Sequence, residues 1–217
     1  MGDYPPLEVK VWGEYACFTR PEMKVERVSY PVPTASAARG ILESIFWKPE
    51  FTWRVEEVWV LNPIRYFSIV RNEVNTRASE RAARAWARDG GGYDAAADRA
   101  QRHTLALRDV AYLIRASVQV KPGVTHNVAK FRDQFRRRVQ GGRCFAQPYL
   151  GCREFSAAFA EPDGRESPIP LTEDLGLMLL DLSYDADGSG RGTPRFFHAR
   201  IEDGIVRYPA TVPEEVN

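Results

Sequence analysis

The chain opens with an alternation of apolar and polar residues. This alternation runs over residues 7–18 and predicts a first strand. After a basic loop that contains prolines, the apolar residues take up helical spacing. Thr34 or Ser36 provides the N-cap of the predicted helix, which runs to about Trp47 and is stopped by Pro49. The chain therefore begins with a strand followed by a helix.

The middle of the chain predicts three strands and an insertion. The strand-like runs 53–61 and 64–70 are separated by an Asn-Pro turn signal. Residues 77–100 are rich in Ala and Arg and contain a triple glycine. We interpret them as a helix, a break and a second short helical piece, which together form an insertion or mobile loop. Alternation over residues 103–120 then predicts a long strand.

A basic helix and a β-rich tail complete the pattern. The helix starts at about Thr125 and ends at a diglycine, and an aromatic, strand-like run follows over residues 144–155. The apolar runs 175–182, 195–201 and 205–208 predict an antiparallel C-terminal sheet that ends in a hairpin.

This order of elements predicts an α+β fold. A strand, a helix, two strands, a long strand, a helix and a strand fit a ferredoxin-like (RRM-like) βαββαβ core with insertions. We expect this core to be a domain over residues 1–156, with 77–100 as the inserted segment. Residues 157–217 are expected to form a C-terminal antiparallel β-sheet extension.

The basic helix has the most uneven charge in the chain. Four apolar residues form one narrow stripe along it: Val128, Phe131, Phe135 and Val139. Five cations cover much of the remainder: Lys130, Arg132, Arg136, Arg137 and Arg138. The net charge of the chain is only +1, yet residues 121–153 carry eight basic side chains and one acidic side chain. This local excess indicates a polyanion site, although a solvated surface helix shows the same stripe.

Several classes of protein have no support in the sequence. No apolar stretch is long enough to span a membrane and no apolar signal segment stands at the start, so we expect a soluble, cytoplasmic protein. The three cysteines form no CxxC pair and the three histidines are scattered, so neither a metal site nor a cofactor is predicted. Motifs for nucleotide hydrolysis, serine hydrolysis and dinucleotide binding are absent.

RNA is a polyanion that a protein can cleave without a metal ion. The protein must deprotonate the 2′-OH, stabilise the crowded phosphorane with cations and protonate the leaving 5′ oxygen. His126 and Lys130 are the first candidates, because residues four apart share a helix face. The alternative is that His126 only caps the helix or faces water. The basic loop with Arg20, Lys24 and Arg27 is either an ordinary connection or a loop that contacts phosphates.

Four blocks of the sequence resemble one known family. They read KVWGEYACFTRPEMKVERVSYPVPTASAARGILESIFWKP, LNPIRYFSIVRNEV, QRHTLALRDVAYLI and GGRCFAQPYLGCREF. In this order, and over most of residues 8–156, they are similar to the type I-C CRISPR-associated Cas5d proteins of the RAMP superfamily.

The resemblance implies a metal-independent endoribonuclease that cuts precursor CRISPR RNA at the repeat hairpin. It also implies that the protein stays on the 5′ handle of the CRISPR RNA as a subunit of the type I-C interference complex. Family members are associated with double-stranded DNA binding as well. The RNA-binding positions that we expect are Arg20, Lys24, Arg27, Lys48, Arg132, Arg136, Arg137 and Arg138.

The catalytic positions of the family are only partly matched. Described family sites use a tyrosine in the block that here reads ESIFWKP, and a Lys-His pair at the start of the basic helix. The tyrosine position is Phe46, and the pair falls on Lys130 and Phe131. Three explanations are open. His126 replaces the missing histidine, or Lys130 and the arginines suffice for slow cleavage, or cleavage is lost and the protein is a non-cleaving RNA- or double-stranded-DNA-binding structural subunit.

Overall fold

The computed structural model describes residues 4–77, 79–124, 127–184 and 192–210. In chain order its elements are β1 (Leu7–Ala16), β2 (Arg27–Val28), α1 (Ala35–Ile45), β3 (Phe51–Val60), β4 (Tyr66–Val74), α2 (Glu80–Asp89), β5 (Arg99–Val120), α3 (Val128–Gln140), β6 (Ala158–Ala160), β7 (Glu173–Tyr184), β8 (Gly192–Glu202) and β9 (Ile205–Arg207). Helices combined with a largely antiparallel sheet confirm the α+β class.

The long strand β5 organises the sheet. Its second half pairs antiparallel with β1 on one side and with β3 on the other, while its first half pairs with β4. Asp109 marks the division between the halves. Its backbone has a positive φ of 54°, and Asn62 Nδ2 donates to its carbonyl at 2.8 Å. The strand order is β6-β1-β5-β3-β9-β8-β7, and β2 adds a short parallel pairing to β5.

Helices α1 and α3 pack into one hydrophobic core with the central strands. α1 buries the residues that its helical spacing predicts: Ala38, Ile41, Leu42 and Ile45. Thr34 is its N-cap, because the side chain accepts a hydrogen bond from the Ala37 amide at 3.1 Å. α3 buries Phe131, Phe135 and Val139, and the Phe135 ring lies 4.8 Å from that of Trp53 in β3. Both predicted amphipathic helices are therefore confirmed.

Residues 144–155 do not form the predicted strand but a loop. Gly151 shows the reason, since its φ is +84° and a Cβ there would lie 2.0 Å from the carbonyl oxygen of Cys17. Cys17 follows β1, and its amide donates to the Leu150 carbonyl at 3.0 Å. The aromatic run is thus held against the end of β1 by a contact between distant parts of the chain.

Three other segments differ from the prediction. Residues 95–98 form a turn instead of a second helical piece. The Asp94 carboxylate favours this turn, because it accepts hydrogen bonds from the backbone amides of Ala96 and Ala97. The proline-containing loop includes the short strand β2. α3 begins at Val128, after the N-cap Asn127, and the predicted start of the helix at Thr125 and the residue His126 lie outside the described residues.

The C-terminal strands continue the same sheet. β9 pairs with β3 and with β8, and β8 pairs with β7. β6 pairs with β1 at the opposite edge. The division of the chain at residue 156 stays a prediction. No helix in the described part of the chain is long and apolar enough to cross a membrane.

Candidate functional site

Phe46 and Phe131 stand at the two positions where the family described above carries a tyrosine and a histidine, and both lie in the core. The Phe46 ring lies 5.5 Å from that of Phe51, and the Phe131 ring lies 5.0 Å from that of Phe51. Phe46 is 2% exposed and Phe131 is 3% exposed. Neither side chain can accept or donate a proton, so this three-ring cluster stabilises the fold and supplies no acid or base.

Lys130 precedes Phe131 in α3 but is not part of this buried cluster. It is exposed in the first turn of α3, and its amide donates to the Asn127 carbonyl at 3.1 Å. Gln134 and Arg137 follow at i+4 and i+7, so the three side chains share one face of α3. His126, the other proposed catalytic residue, lies outside the described residues.

A basic cavity of about 350 Å³ opens where the end of α1 meets the face of α3 that carries Gln134. Its lining combines one aromatic ring with four cations and an amide: Phe46, Lys48, Gln134, Arg137, Arg138 and Arg143. Among the residues that the structure describes, no carboxylate lines this cavity. A concave surface with this composition attracts phosphate groups.

Arg138 holds the two helices together at this cavity. Its Nη1 donates to the Ile45 carbonyl at 3.2 Å, and its guanidinium lies 5.6 Å over the Phe46 ring. The last turn of α1 has no basic residue of its own, and the C-terminal end of a helix carries partial negative charge. Arg138 therefore both stabilises the end of α1 and faces the cavity.

Arg143 reaches the cavity because the chain reverses after α3. The diglycine ends the helix, with Gly142 at a φ of +60°, and the Arg143 amide donates to the Arg138 carbonyl at 2.8 Å. The next residues dock on α1, since the amides of Phe145 and Ala146 both donate to the Ser44 carbonyl. Sequence reasoning missed Arg143 and Gln134. The Gly-Gly-Arg order was the available signal, since a helix that ends at glycine turns its chain back.

The other predicted cations of α3 differ in their surroundings. Arg136 is exposed and lies 3.7 Å from the Asp133 carboxylate. Arg132 does not lie on the exposed face at all, since its side chain is buried and its guanidinium sits 5.2 Å over the Tyr4 ring. Burial lowers the pKa of this guanidinium, and the charge of Arg136 acts in the same direction. The prediction that Arg132 is a surface cation is therefore corrected.

The burial of Arg132 has a signal in the sequence. The residue stands four positions after Val128 and three before Phe135, which places it on the same side of the helix as the apolar stripe.

The cations of the loop after β1 are mostly engaged within the protein. Arg27 lies 3.2 Å from Glu154 and 3.5 Å from Glu73, so two carboxylates offset its charge. Arg20 lies 4.6 Å over the Tyr30 ring, and Lys24 is exposed. Among the described residues, no group of three or more His, Cys, Asp or Glu side chains is placed to hold a metal ion.

Comparison with known families gives one match over nearly the whole chain. The sequence profile of the family described as CRISPR-associated protein (Cas_Cas5) matches residues 6–209. A protein of Thermus thermophilus named CRISPR pre-crRNA endoribonuclease Cas5d is 46% identical over 225 residues, which cover 97% of this chain and 94% of that protein. A Mannheimia succiniciproducens protein of the same name is 42% identical over 224 residues, with 97% of each chain covered.

Solved structures share the fold at lower sequence identity. A crystal structure described as a CRISPR-associated protein superposes with a TM-score of 0.68 at 24% identity, covering 94% of this chain and 92% of that one. A chain of a CRISPR RNA-guided surveillance complex superposes with a TM-score of 0.51 at 16% identity, covering 97% and 95%. These likenesses extend over the C-terminal strands as well as the helices.

Proposed function

The chain belongs to the Cas5d family of CRISPR-associated proteins, and we propose that it is an endoribonuclease that cuts precursor CRISPR RNA within the repeat. Near-full-length identity of 46% and 42% to two proteins named pre-crRNA endoribonucleases carries this proposal. The cut RNA then stays bound, and the protein acts in the cytoplasm as a subunit of the type I-C interference complex, with double-stranded DNA as a further ligand.

The basic cavity supports this proposal by its chemistry. Lys48, Arg137, Arg138 and Arg143 supply cations on both sides of a groove between two helices. Phosphate oxygens of an RNA strand are the ligands that such a groove selects. The strand order β6-β1-β5-β3, with α1 and α3 in one core, also supports the ferredoxin-like core that the family implies.

The proposed reaction is attack of the RNA 2′-OH on the adjacent phosphorus. The oxygen–phosphorus bond forms as the bond to the 5′ oxygen breaks, which leaves a 2′,3′-cyclic phosphate and a 5′-hydroxyl. A base takes the proton of the 2′-OH, and an acid gives a proton to the leaving oxygen. We assign Lys130 to the negative charge that develops on the phosphorane, because its exposed ammonium shares a helix face with the cavity residue Gln134.

The base and the acid are not supplied by the two family positions. Phe46 and Phe131 are buried and have no titratable group. Either His126 takes one of these roles from its place just before α3, or Lys130 and the neighbouring arginines cleave slowly without it. The buried rings also favour a second candidate function, a subunit that binds CRISPR RNA and does not cut it.

Cleavage of the cognate repeat RNA by the purified protein in EDTA separates these possibilities. We expect a single cut for the wild type, loss of that cut in Lys130→Ala, and retention in the matched control Lys121→Ala, which removes an exposed lysine before α3. A reduced rate in His126→Ala assigns the proton transfer to that residue. Tight binding without any cut by the wild type would overturn the nuclease proposal and leave the binding subunit.

A further inference from the structure

A second cavity, of about 860 Å³, lies at the other side of α3. One wall is the end of β5, where the pairing with β1 stops at Ala116 while the pairing with β3 continues to Val120. Tyr4, Pro5 and Pro6 form a second wall ahead of β1, and Val128 of α3 closes a third. The described strands leave this edge of β5 beyond Ala116 without a partner.

Two guanidinium groups in this cavity have hydrogen-bond donors without a partner. Arg132 lines the cavity from α3; it is 2% exposed, and its buried Nη2 has no hydrogen-bond partner among the described residues. Arg54 lines it from β3, and its buried Nε has no partner there either. A buried charged donor without an acceptor costs free energy, and a ligand in this cavity is one source of the acceptor.

The remaining lining defines the kind of ligand. The Tyr4 ring and the side chains of Val118, Val120 and Val128 are apolar surfaces that suit a base or a ribose. Glu56 also lines the cavity, but its carboxylate already accepts a hydrogen bond from the Ser117 hydroxyl. An anion is therefore expected at the arginines rather than near Glu56. The volume lies within the range of roughly 300–1,000 Å³ that is usual for small-molecule sites.

We propose that this cavity binds a single nucleotide, with Arg132 and Arg54 contacting its phosphate and the Tyr4–Val128 side contacting its base or ribose. The site is distinct from the basic cavity at Phe46, and its lining shares no residue with that cavity. The proposal does not depend on cleavage. The nucleotide is either free in solution or the terminal or unstacked nucleotide of bound RNA, and both sources present the same phosphate chemistry.

Adenosine monophosphate is the probe, with adenosine and inorganic phosphate as its parts. Thermal unfolding of the wild type at a concentration of AMP ten times its Kd should show an increase in Tm of about 3–6 °C. Inorganic phosphate should give a smaller increase, and adenosine little or none. Calorimetric titration should show binding of AMP in Arg132→Met weakened by about tenfold to a hundredfold.

The control is Arg195→Met, which removes an exposed arginine from β8 and should bind AMP as the wild type does. In the absence of ligand, Arg132→Met should be at least as stable as the wild type, because it removes a buried charge whose Nη2 has no hydrogen-bond partner. Arg54→Gln tests the site from the neighbouring strand and should also weaken AMP binding. Equal AMP affinity in the wild type, Arg132→Met and Arg54→Gln, or no AMP binding by the folded wild type, would overturn the proposal.

A preformed complex with processed repeat RNA distinguishes the two sources of the nucleotide. If AMP no longer binds to the complex, the RNA itself supplies the nucleotide. If AMP still binds with the same affinity, the ligand is a free nucleotide. Both results support the site, and neither requires the protein to cut RNA, so failure of the cleavage assay and failure of this site are separable.

Discussion

The two sides of the Phe46 ring have opposite character. On one side it packs with Phe51, which also contacts Phe131, in a buried cluster that contains no titratable group. On the other side the Arg138 guanidinium lies 5.6 Å from the ring, at the opening of the basic cavity. The aromatic cluster and the lining of the basic cavity consist largely of different residues, and Phe46 and Arg138 join the two at the end of α1. The chain has cations around the cavity that we propose to bind phosphate, and buried apolar rings at the positions where the family carries proton donors.

The largest effect is expected from Phe51→Ala. This change removes the ring that joins Phe46, Phe131 and Trp53, and truncation of a buried Phe typically costs about 3–5 kcal/mol of unfolding free energy. Chemical denaturation measures the loss. The matched control is Phe145→Ala, because Phe145 is 83% exposed and its truncation should change stability by less than about 0.5 kcal/mol. Similar costs for the two variants would show that the cluster does not hold the helices.

Restoring the family residues at the two phenylalanines should have unequal costs. Phe131→His puts a polar ring into the core and is expected to cost about 2–3 kcal/mol. Phe46→Tyr should cost about 1 kcal/mol or less, because Phe46 lines the basic cavity and a hydroxyl there has cations beside it. We also expect Phe46→Tyr to raise the single-turnover cleavage rate. Equal stability costs for Phe131→His and Phe46→Tyr would contradict the distinction between the buried cluster at Phe131 and the cavity lining at Phe46.

The double change Arg137→Ala with Arg143→Ala should weaken RNA binding and lower its salt dependence. Each lost phosphate contact reduces the slope of log affinity against log salt by about 0.7 for a single strand, so two contacts give about 1.4. Fluorescence anisotropy at several salt concentrations measures the slope. The control Arg195→Ala with Arg200→Ala removes two exposed arginines from β8 and should leave the slope unchanged. An unchanged slope in the Arg137→Ala, Arg143→Ala variant would show that the cavity does not contact the RNA.

A smaller loss of stability is expected from Arg138→Met, which removes the guanidinium beside the Phe46 ring. It loses the hydrogen bond to the Ile45 carbonyl at the end of α1, at a cost of about 0.5–1.5 kcal/mol. Arg138→Lys keeps the charge near the helix end and should recover part of this stability, since a cation at a helix C-terminus contributes about 0.3–1 kcal/mol. Thermal unfolding should show that the wild type is the most stable, Arg138→Lys is intermediate and Arg138→Met is the least stable.

Sequence periodicity predicted the elements whose pattern is local. β1, α1, β5 and α3 follow their apolar spacing to within a few residues. The loop at 144–155 was predicted as a strand because its aromatic residues resemble one. Its shape depends on contacts of Gly151 and Leu150 with Cys17, more than 130 positions earlier. Such long-range contacts leave no periodic signal.

The site was predicted in part for the same reason. The basic helix and the positions of Phe46 and Lys130 could be assigned from the sequence, since they lie in one helix and one block. The cavity could not be assigned, because it requires Arg143 to turn back after the diglycine and Arg138 to reach the end of α1. The surroundings of Arg132 depend on where Tyr4 lies ahead of β1, and local patterns carry no information about that placement.

Single-turnover cleavage of cognate repeat RNA at saturating protein, measured together with Kd, tests the separation of binding from chemistry most directly. For Lys130→Ala we expect a Kd close to that of the wild type and a cleavage rate reduced by at least about a hundredfold. For Arg137→Ala with Arg143→Ala we expect the reverse, a higher Kd and a saturated rate close to that of the wild type. A Lys130→Ala protein that cuts at the wild-type rate would contradict the assignment of Lys130 and of the chemistry to this face of α3.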